Sequence, residues 1–469
     1  MARKRKASTG GGTKELLEGM KVWRKAHPKA TYVEIEAEVE TRIKGLREEV
    51  LGEIIGMSAA TESEGQIVHC PECGADMVGR GKRKRRLQGA GGSEVELERV
   101  YLECPACGAG FFPLDEELAL LPGSLFPGQQ EGLVRLSSWM PFGKAAQLMQ
   151  DLLGVSCSKA TARRHTQTAG SAYVALQSEV ADQIVAQAPL AKAGMEKALL
   201  SVDGAIIPLV GGEWAEVKTL VVGEVTSRTN RKGETEVKTR ALSYFSRLAD
   251  AQRFQHLAHS ELHRRGIECS AKVAAVMDGA DWQQGFVDYH RPDAVRILDF
   301  PHAAQRITGV GQVLFGEGTA TCHEWIEPRL HQLKHDGPEP ILTELHNLQL
   351  QHPQSKLIQE NLAYLEKRVM QMQYPRFQEQ GWPIGSGCVE SANKLVVEAR
   401  LKGAGMHWQR ENVDPMLSLR NLVCSDRWAE DWPLIVTRLR RQDWLRRKQL
   451  RQIHRSAPAS SLIGLPAKK

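Results

Sequence analysis

No stretch of the 469-residue sequence stays apolar for the roughly 18 residues that a membrane-crossing helix needs. The first residues carry Arg3-Lys4-Arg5-Lys6 and then a Gly-rich run, where a secretory leader would have an apolar segment. The expectation is a cytoplasmic protein with no membrane partner. Nine cysteines in such a chain argue against a disulfide framework and for metal binding or free thiols. With 42% hydrophobic and 25% charged residues, the composition is that of a folded protein and excludes a disordered one.

Positive charge is present, in three clusters. The net charge is only +6, yet Arg3 to Lys6, Lys82-Arg83-Lys84-Arg85-Arg86 and the stretch from Arg438 to Arg455 concentrate it. Dispersed, such charge would mean a solvated surface; clustered, it favours a polyanion, most simply nucleic acid, double-stranded DNA included. The length predicts two to four domains. Residues 1–60 read as a basic tail followed by helices. Leu16, Leu17, Met20 and Val22 mark the first, and Tyr32, Ile35, Val39, Ile43, Leu46 and Val50 a longer second. These positions carry packing or a protein contact and no chemistry, with DNA contact as a further reading.

Residues 65–112 hold the most specific local motif. His69-Cys70-Pro71-Glu72-Cys73-Gly74 is matched by Glu103-Cys104-Pro105-Ala106-Cys107-Gly108. In each, the glycine lets the backbone turn so that both thiolates face one point. Four thiolates supply the closed tetrahedral shell of structural zinc (Zn²⁺). Between the pairs, Ser93 to Glu98 alternates as an exposed strand should, after the turn Gly89-Ala90-Gly91-Gly92. This is the layout of a zinc ribbon, from which Gly79 to Arg86 would hang as a basic finger. Lys82, Arg83, Lys84, Arg85 and Arg86 then suit phosphate contacts.

Residues 125–190 read as a helical DNA-binding region. Phe142 to Leu153 forms one helix, with Ala145, Ala146, Leu148, Met149, Leu152 and Leu153 available for packing. Gly154 turns the chain, Ser156 or Ser158 caps, and Lys159 to Thr168 forms the second helix of a helix-turn-helix. That helix would expose Lys159, Arg163, Arg164, His165 and Gln167.

From residue 197 strands alternate with helices. Leu199 to Ile207 is an apolar β-branched run with one carboxylate, Asp203, at its centre. An ionised Asp there costs several kcal/mol unless paired, so it is either a satisfied core residue or a metal ligand. Two β-rich runs follow, separated by a turn over Ser227 to Gly233. A helix capped by Asp250 leads to the strand Ala271 to Met277, ending on Asp278, and a short helix leads to Val295 to Leu298, ending on Asp299. Residues 305–380 show no strand signal and read as a helical insertion. A helix with Glu390 in its first turn follows Gly385-Ser386-Gly387, and residues 426–469 read as a basic helix and tail.

Three meandering strands followed by two crossover strands predict an α/β ribonuclease H-like mixed sheet over 197–304 and 381–425. In that arrangement Asp203 and Asp278 are neighbours, and Glu390 lies on a late helix over the sheet edge. Asp281 competes with Asp278, which is preferred for its place at a strand end. Three such carboxylates would hold two magnesium or manganese ions (Mg²⁺ or Mn²⁺), suited to phosphodiester displacement.

Ser201-Val202-Asp203-Gly204, Trp214 to Lys218, Gly385-Ser386-Gly387-Cys388-Val389-Glu390-Ser391-Ala392 and Arg400-Leu401-Lys402-Gly403-Ala404-Gly405-Met406-His407-Trp408 resemble the DDE transposases of bacterial insertion sequences of the ISKra type. The resemblance covers roughly residues 65–425. It implies Asp203, Asp278 and Glu390 as the catalytic metal ligands and an activity that binds terminal inverted repeats, cleaves DNA strands and transfers them, in at least a dimer. Asp299-Phe300-Pro301-His302 resembles the Asp-x-x-His element of Mutator-like transposases, which places His302 at the scissile phosphate or leaving group; orienting a strand end is its other reading. Lys394, Arg400 and Lys402 either contact DNA phosphate or pair with acids such as Glu390 and Glu398. The alternatives are a ribonuclease H-like nuclease without strand transfer, and a non-catalytic DNA-binding descendant of a transposase. His331 and His335 have metal-pair spacing but no third ligand. The other five cysteines read as plain thiols.

Overall fold

The computed structural model describes residues 11–58, 60, 67–191, 193–229 and 235–456. The basic run Arg3 to Lys6, most of the turn expected after Ser227 and the tail beyond 456 lie outside the described residues. The chain divides into two compact units, residues 1–169 with 432–469, and residues 170–431.

In the first unit, α1 (Gly11–Ala26) and α2 (Tyr32–Gly56) come first, α2 opened by a capping box between Thr31 and Glu34. A three-stranded antiparallel sheet follows, β1 (Val78–Gln88), β2 (Glu94–Glu103) and β3 (Gly110–Phe111). The segment expected to hang as a basic finger is therefore strand β1. The reason lies in the partner strand: the register sets Lys84 opposite Glu98 and Arg86 opposite Glu96, so β2 supplies an acid for the basic face. The other face packs Leu87, Val95 and Leu97 against Leu114 and Leu120.

Helices α3 (Pro113–Glu117), α4 (Pro127–Trp139), α5 (Phe142–Leu153) and α6 (Lys159–Gln187) complete this part. The α5–α6 corner turns where expected, while α6 runs on past Thr168 to Gln187. Gly154 closes α5, and Ser158 Oγ accepts from the Thr161 N–H at 3.1 Å to open α6. Two expectations fail here. Leu152 and Leu153 face solvent, and His165 is 7% exposed, packed inward where an outward residue was expected.

The second unit is mixed α/β. Its five-stranded mixed sheet runs β6-β5-β4-β7-β8, from β4 (Lys197–Pro208), β5 (Trp214–Thr229), β6 (Thr235–Arg247), β7 (Lys272–Met277) and β8 (Val295–Leu298). The β4–β5 and β5–β6 pairs are antiparallel, while β4–β7 and β7–β8 are parallel. The period of two divides β4 between faces. Leu200 and Val202 join Val273, Ala275 and Met277 under α7 (Ala251–Arg264) and α8 (Asp281–His290), packing on Phe254 and Phe286. Leu199, with Ala274 and Val276, joins the opposite core.

That opposite core is built by α9 (Phe300–Phe315), α10 (Ala320–His335), α11 (Glu339–Gln351), α12 (Lys356–Glu366) and α13 (Tyr374–Glu379). Ile307, Leu333, Ile341, Leu362 and Tyr374 bury against Ile297 and Leu298, so the helical insertion supplies half of the core. Next come α14 (Gly387–Ala392), a π-helix over Asn393–Glu398, the short α15 (Ala399–Leu401) and α16 (Val413–Cys424). The last helix, α17 (Trp428–Ser456), begins in this unit and ends in the first.

Candidate functional site

The cysteine knuckles are superposable turns. Cys70 N–H donates to Ala75 O at 2.8 Å and Cys104 N–H to Ala109 O at 2.7 Å, and Gly74 and Gly108 both sit at φ 73°. The four sulfurs converge, with Cys70 Sγ 3.6 Å from Cys107 Sγ and Cys73 Sγ 3.5 Å from Cys104 Sγ. A tetrahedral zinc with bonds of about 2.3 Å needs sulfurs close to this spacing. The Cys107 N–H, aimed at Cys104 Sγ, lowers that thiol to about 7, which favours the ligating thiolate. The four thiols fit a structural metal such as zinc.

In the second unit, carboxylates gather where β4, β7 and β8 end. Leu200 of β4 pairs with Ala275 of β7, and continuing that parallel register three residues sets Asp203 beside Asp278. Both side chains belong to the face that carries Leu199, Ala274 and Val276. Burial raises the pKa of Asp203, and the Asp278 charge adds to the shift, while the Gly204 N–H, His302 and Asn393 oppose it. Each oxygen of Asp203 takes one hydrogen bond, from Gly204 N–H at 2.7 Å and from Asn393 Nδ2 at 2.8 Å.

Asp299, 0% exposed, caps α9 at the end of β8. The Nδ1–H of His302 donates to its Oδ2 at 2.6 Å, and the Ser386 N–H donates to its Oδ1. The hydrogen bond that His302 donates to Asp299, aided by the charges of Asp299, Asp278 and Asp203, raises the His302 pKa against the opposing effect of burial. Glu390, in the first turn of α14, lies within 4.8 Å of Asp299 and His302 by its ligand atom. Ser386 Oγ also points at Glu390 Oε1, 3.4 Å away.

The structure thus makes two groups that share His302. Asp203 and Asp278 form one; Asp299, His302 and Glu390 form the other, and it is this second trio that lies within ligand distance among the described residues. Asp281, the competitor for the second position, points away and pairs with Lys367 at 2.7 Å in solvent.

The donors fit a hard divalent ion. Asp203, whose pKa the nearby Asp278 charge helps to raise, and Asp278 face the same space, and the buried Asn393 Oδ1 has no hydrogen-bond partner. Asp299, His302 and Glu390 are the donors whose ligand atoms converge, with Asp203, Asp278 and Asn393 beside them.

A rigid shell holds this edge. Gln283 donates to Val202 O at 3.0 Å and accepts from the Gly279 N–H at 3.2 Å, tying β4 to the loop after Asp278. From the helical insertion, Tyr364 O–H donates to Asp278 O and the Arg368 guanidinium to Gly279 O. Gly279 adopts φ 89°, and a Cβ there would lie 2.4 Å from Arg368 Nε, so only glycine fits.

No family model matches the chain, and no curated protein matches it.

The residues expected to face DNA divide by burial. Lys159, Arg163, Arg164 and Lys394 are exposed. Lys82, Lys84 and Arg86 are exposed but paired with Glu98 and Glu96, Arg83 lies over the Tyr101 ring, and Lys402 pairs with Glu398. Exposed pairs of this kind are weak and yield readily to phosphate. Two expectations are overturned. Arg85 is internal, bonded to Asp115, Leu121 O and Gly123 O. Arg400 is 2% exposed and stands over the Trp408 ring, with burial lowering its pKa to about 10. On α17, Arg440 pairs with Glu116, Arg446 and Arg447 with Asp443, and Lys448 with Glu72.

Sequence reasoning did not assign roles to Asp299 or Asn393. Asp299 carried a signal: a strand-end Asp two residues before Pro301 is an N-cap, and its spacing to His302 was visible. Asn393, three residues after Glu390, shares its helix face, which helical spacing alone could have flagged.

Proposed function

We propose that this chain is a DNA transposase with a ribonuclease H-like core that cleaves DNA strands at the ends of an insertion sequence and joins them to a target. The reading rests on one observation: strand-end carboxylates Asp203 and Asp278 lie side by side on one sheet face, and Glu390 of a later helix meets Asp299 and His302, the histidine that both aspartates face. The strand order, with one parallel and one antiparallel neighbour of β4, is what such a core requires.

Asp203, Asp278 and Glu390 would hold magnesium or manganese, which when bound supplies charge for the attacking and leaving oxygens of the phosphodiester. Around them this chain's own groups have defined tasks. Asp299 orients the His302 ring through Nδ1, leaving Nε2 to hold a proton against a phosphate or leaving oxygen. Asn393 and Gly204 fix the Asp203 carboxylate. Tyr364, Arg368 and Gln283 keep the Asp278 loop from moving as a charged strand enters.

DNA recognition would fall to the zinc ribbon and to the exposed Lys159, Arg163 and Arg164 at the start of α6, with terminal inverted repeats as the ligand and a dimer or larger assembly bringing two ends together. The test is cleavage of duplexes carrying the DNA flanking the gene, followed by strand transfer from pre-cleaved ends. Cleavage with joining supports the proposal. Cleavage without joining makes the chain a nuclease, and specific binding without either makes it a non-catalytic DNA-binding protein.

A further inference from the structure

The first unit contains a cavity of about 440 Å³ between α4, α6 and α17. Its size suits a small organic ligand, whose pockets span about 300–1,000 Å³. Two polar side chains on its walls are more than nine-tenths buried, Gln130 at 4% and His165 at 7% exposure. Gln130 Oε1 and His165 Nε2 have no hydrogen-bond partner. Buried polar atoms are ordinarily paired, and two orphans on the walls of one cavity mark a place for a polar guest.

The chemistry of the walls narrows the guest. Burial, helped by the Arg164 charge, lowers the His165 pKa to about 4, so the imidazole is neutral at pH 7. Gln130 Oε1 accepts a hydrogen bond, and a neutral imidazole can give one or take one according to its tautomer. Leu439 adds an apolar wall. Gly123 borders the imidazole so closely that a Cβ there would lie 2.8 Å from His165 Cε1, and its lack of a side chain keeps the space open. The rim is cationic. Arg164 and Arg446 are exposed, and the buried Asp443 carboxylate is neutralised by Arg446 at 3.0 Å and by Arg447. An apolar guest would leave both orphan atoms unpaired.

We propose that this cavity binds a single nucleotide, its base against Gln130, His165 and Leu439 and its phosphate between Arg164 and Arg446. The nucleotide is free or is an extrahelical residue of a DNA strand; the chemistry is shared. The site does not depend on the carboxylate cluster.

The test titrates the zinc-loaded full chain with each of the four deoxynucleoside monophosphates by calorimetry. In parallel, a duplex with one bulged aminopurine is followed by fluorescence, using Asp203→Asn protein so that the DNA stays intact. Saturable binding of at least one monophosphate, or a fluorescence change specific to the bulge, is expected, and the arm that responds identifies the source. Gln130→Leu and His165→Leu should each weaken binding roughly tenfold or more, as loss of a base-reading contact does. If a variant misfolds by its melting profile, the His165 ring signals of the wild-type chain serve instead and should shift on ligand addition. Four monophosphates that fail to bind, with an unresponsive bulge, would overturn the proposal, and so would full affinity in folded Gln130→Leu. Neither result bears on strand cleavage, so the transposase reading stands or falls separately.

Discussion

The Asn393 side-chain amide donates to Asp203 Oδ2 at 2.8 Å, joining the first strand of the five-stranded sheet to the π-helix that follows Glu390. The Gly204 N–H holds the other oxygen, so the carboxylate is pinned from its own strand and from the helix above. A π-turn beside such a residue is a frequent mark of a functional site. Asn393→Leu should weaken manganese binding and strand cleavage by roughly 10–100-fold, the usual worth of a group that orients a metal ligand. Stability should fall by about 1–3 kcal/mol, because leucine removes the unpaired Oδ1 but also strips Asp203 Oδ2 of its donor. Calorimetric titration with manganese, read beside the melting temperature, checks this. Unchanged manganese affinity in the leucine variant would reduce Asn393 to packing.

The four thiols predict one zinc per chain, countable by elemental analysis. Cys104→Ser should lose the metal and lower the melting temperature of the first unit, because binding energy at a closed thiolate site is folding energy. The second unit should melt unchanged. Full zinc occupancy in that variant would contradict the assignment.

Neighbouring arginines on β1 should behave oppositely. Asp115 is buried between Arg85 and Arg99, so Asp115→Ala leaves two arginines uncompensated and should cost about 3–5 kcal/mol by chemical denaturation. Arg86→Ala removes one exposed pair with Glu96 and should cost about 1 kcal/mol or less. In a DNA-binding assay, the Arg86 substitution should lower the salt dependence.

Acid should destabilise the second unit through His290. Burial, with the His259 charge adding to it, lowers its pKa to about 3 despite the hydrogen bond to Gln255 O. Below about 6.5 the unfolded histidine takes up a proton that the folded one refuses. The stability contributed by its neutral form is therefore full above that pH and lost as pH falls from there towards 3. Over that window unfolding free energy should drop by about 1.4 kcal/mol per pH unit from this group. His290→Gln should show a shallower pH slope than wild type in urea titrations at pH 7 and pH 5.

Periodicity and motif spacing carried much of this architecture. The alternation of apolar residues around Asp203, the strand ends at Asp278 and Asp299, and the paired Cys-Pro-x-Cys-Gly turns are local signals, and the strands, the mixed sheet and the sulfur cluster follow them. What sequence did not carry is long-range. Arg85 and Arg86 are adjacent and alike, yet the pleat turns one to Asp115 and the other to solvent. A strand of mostly basic residues has no apolar alternation, so β1 reads as a loop until β2 supplies its acids. Arg400 looks like a DNA contact in sequence because its burial depends on α16 and Trp408. The helical insertion reads as an addition, whereas its Tyr364 and Arg368 hold the Asp278 loop.

The central claim is that Asp203 and Asp278 work as a pair in strand cleavage. It is tested most directly by cleavage of a labelled duplex bearing the flanking DNA in manganese, comparing wild type with Asp278→Asn at equal DNA occupancy. The account predicts strand cleavage by the wild type, and cleavage lost with DNA binding retained in the variant. Cleavage by Asp278→Asn at the wild-type rate would contradict it.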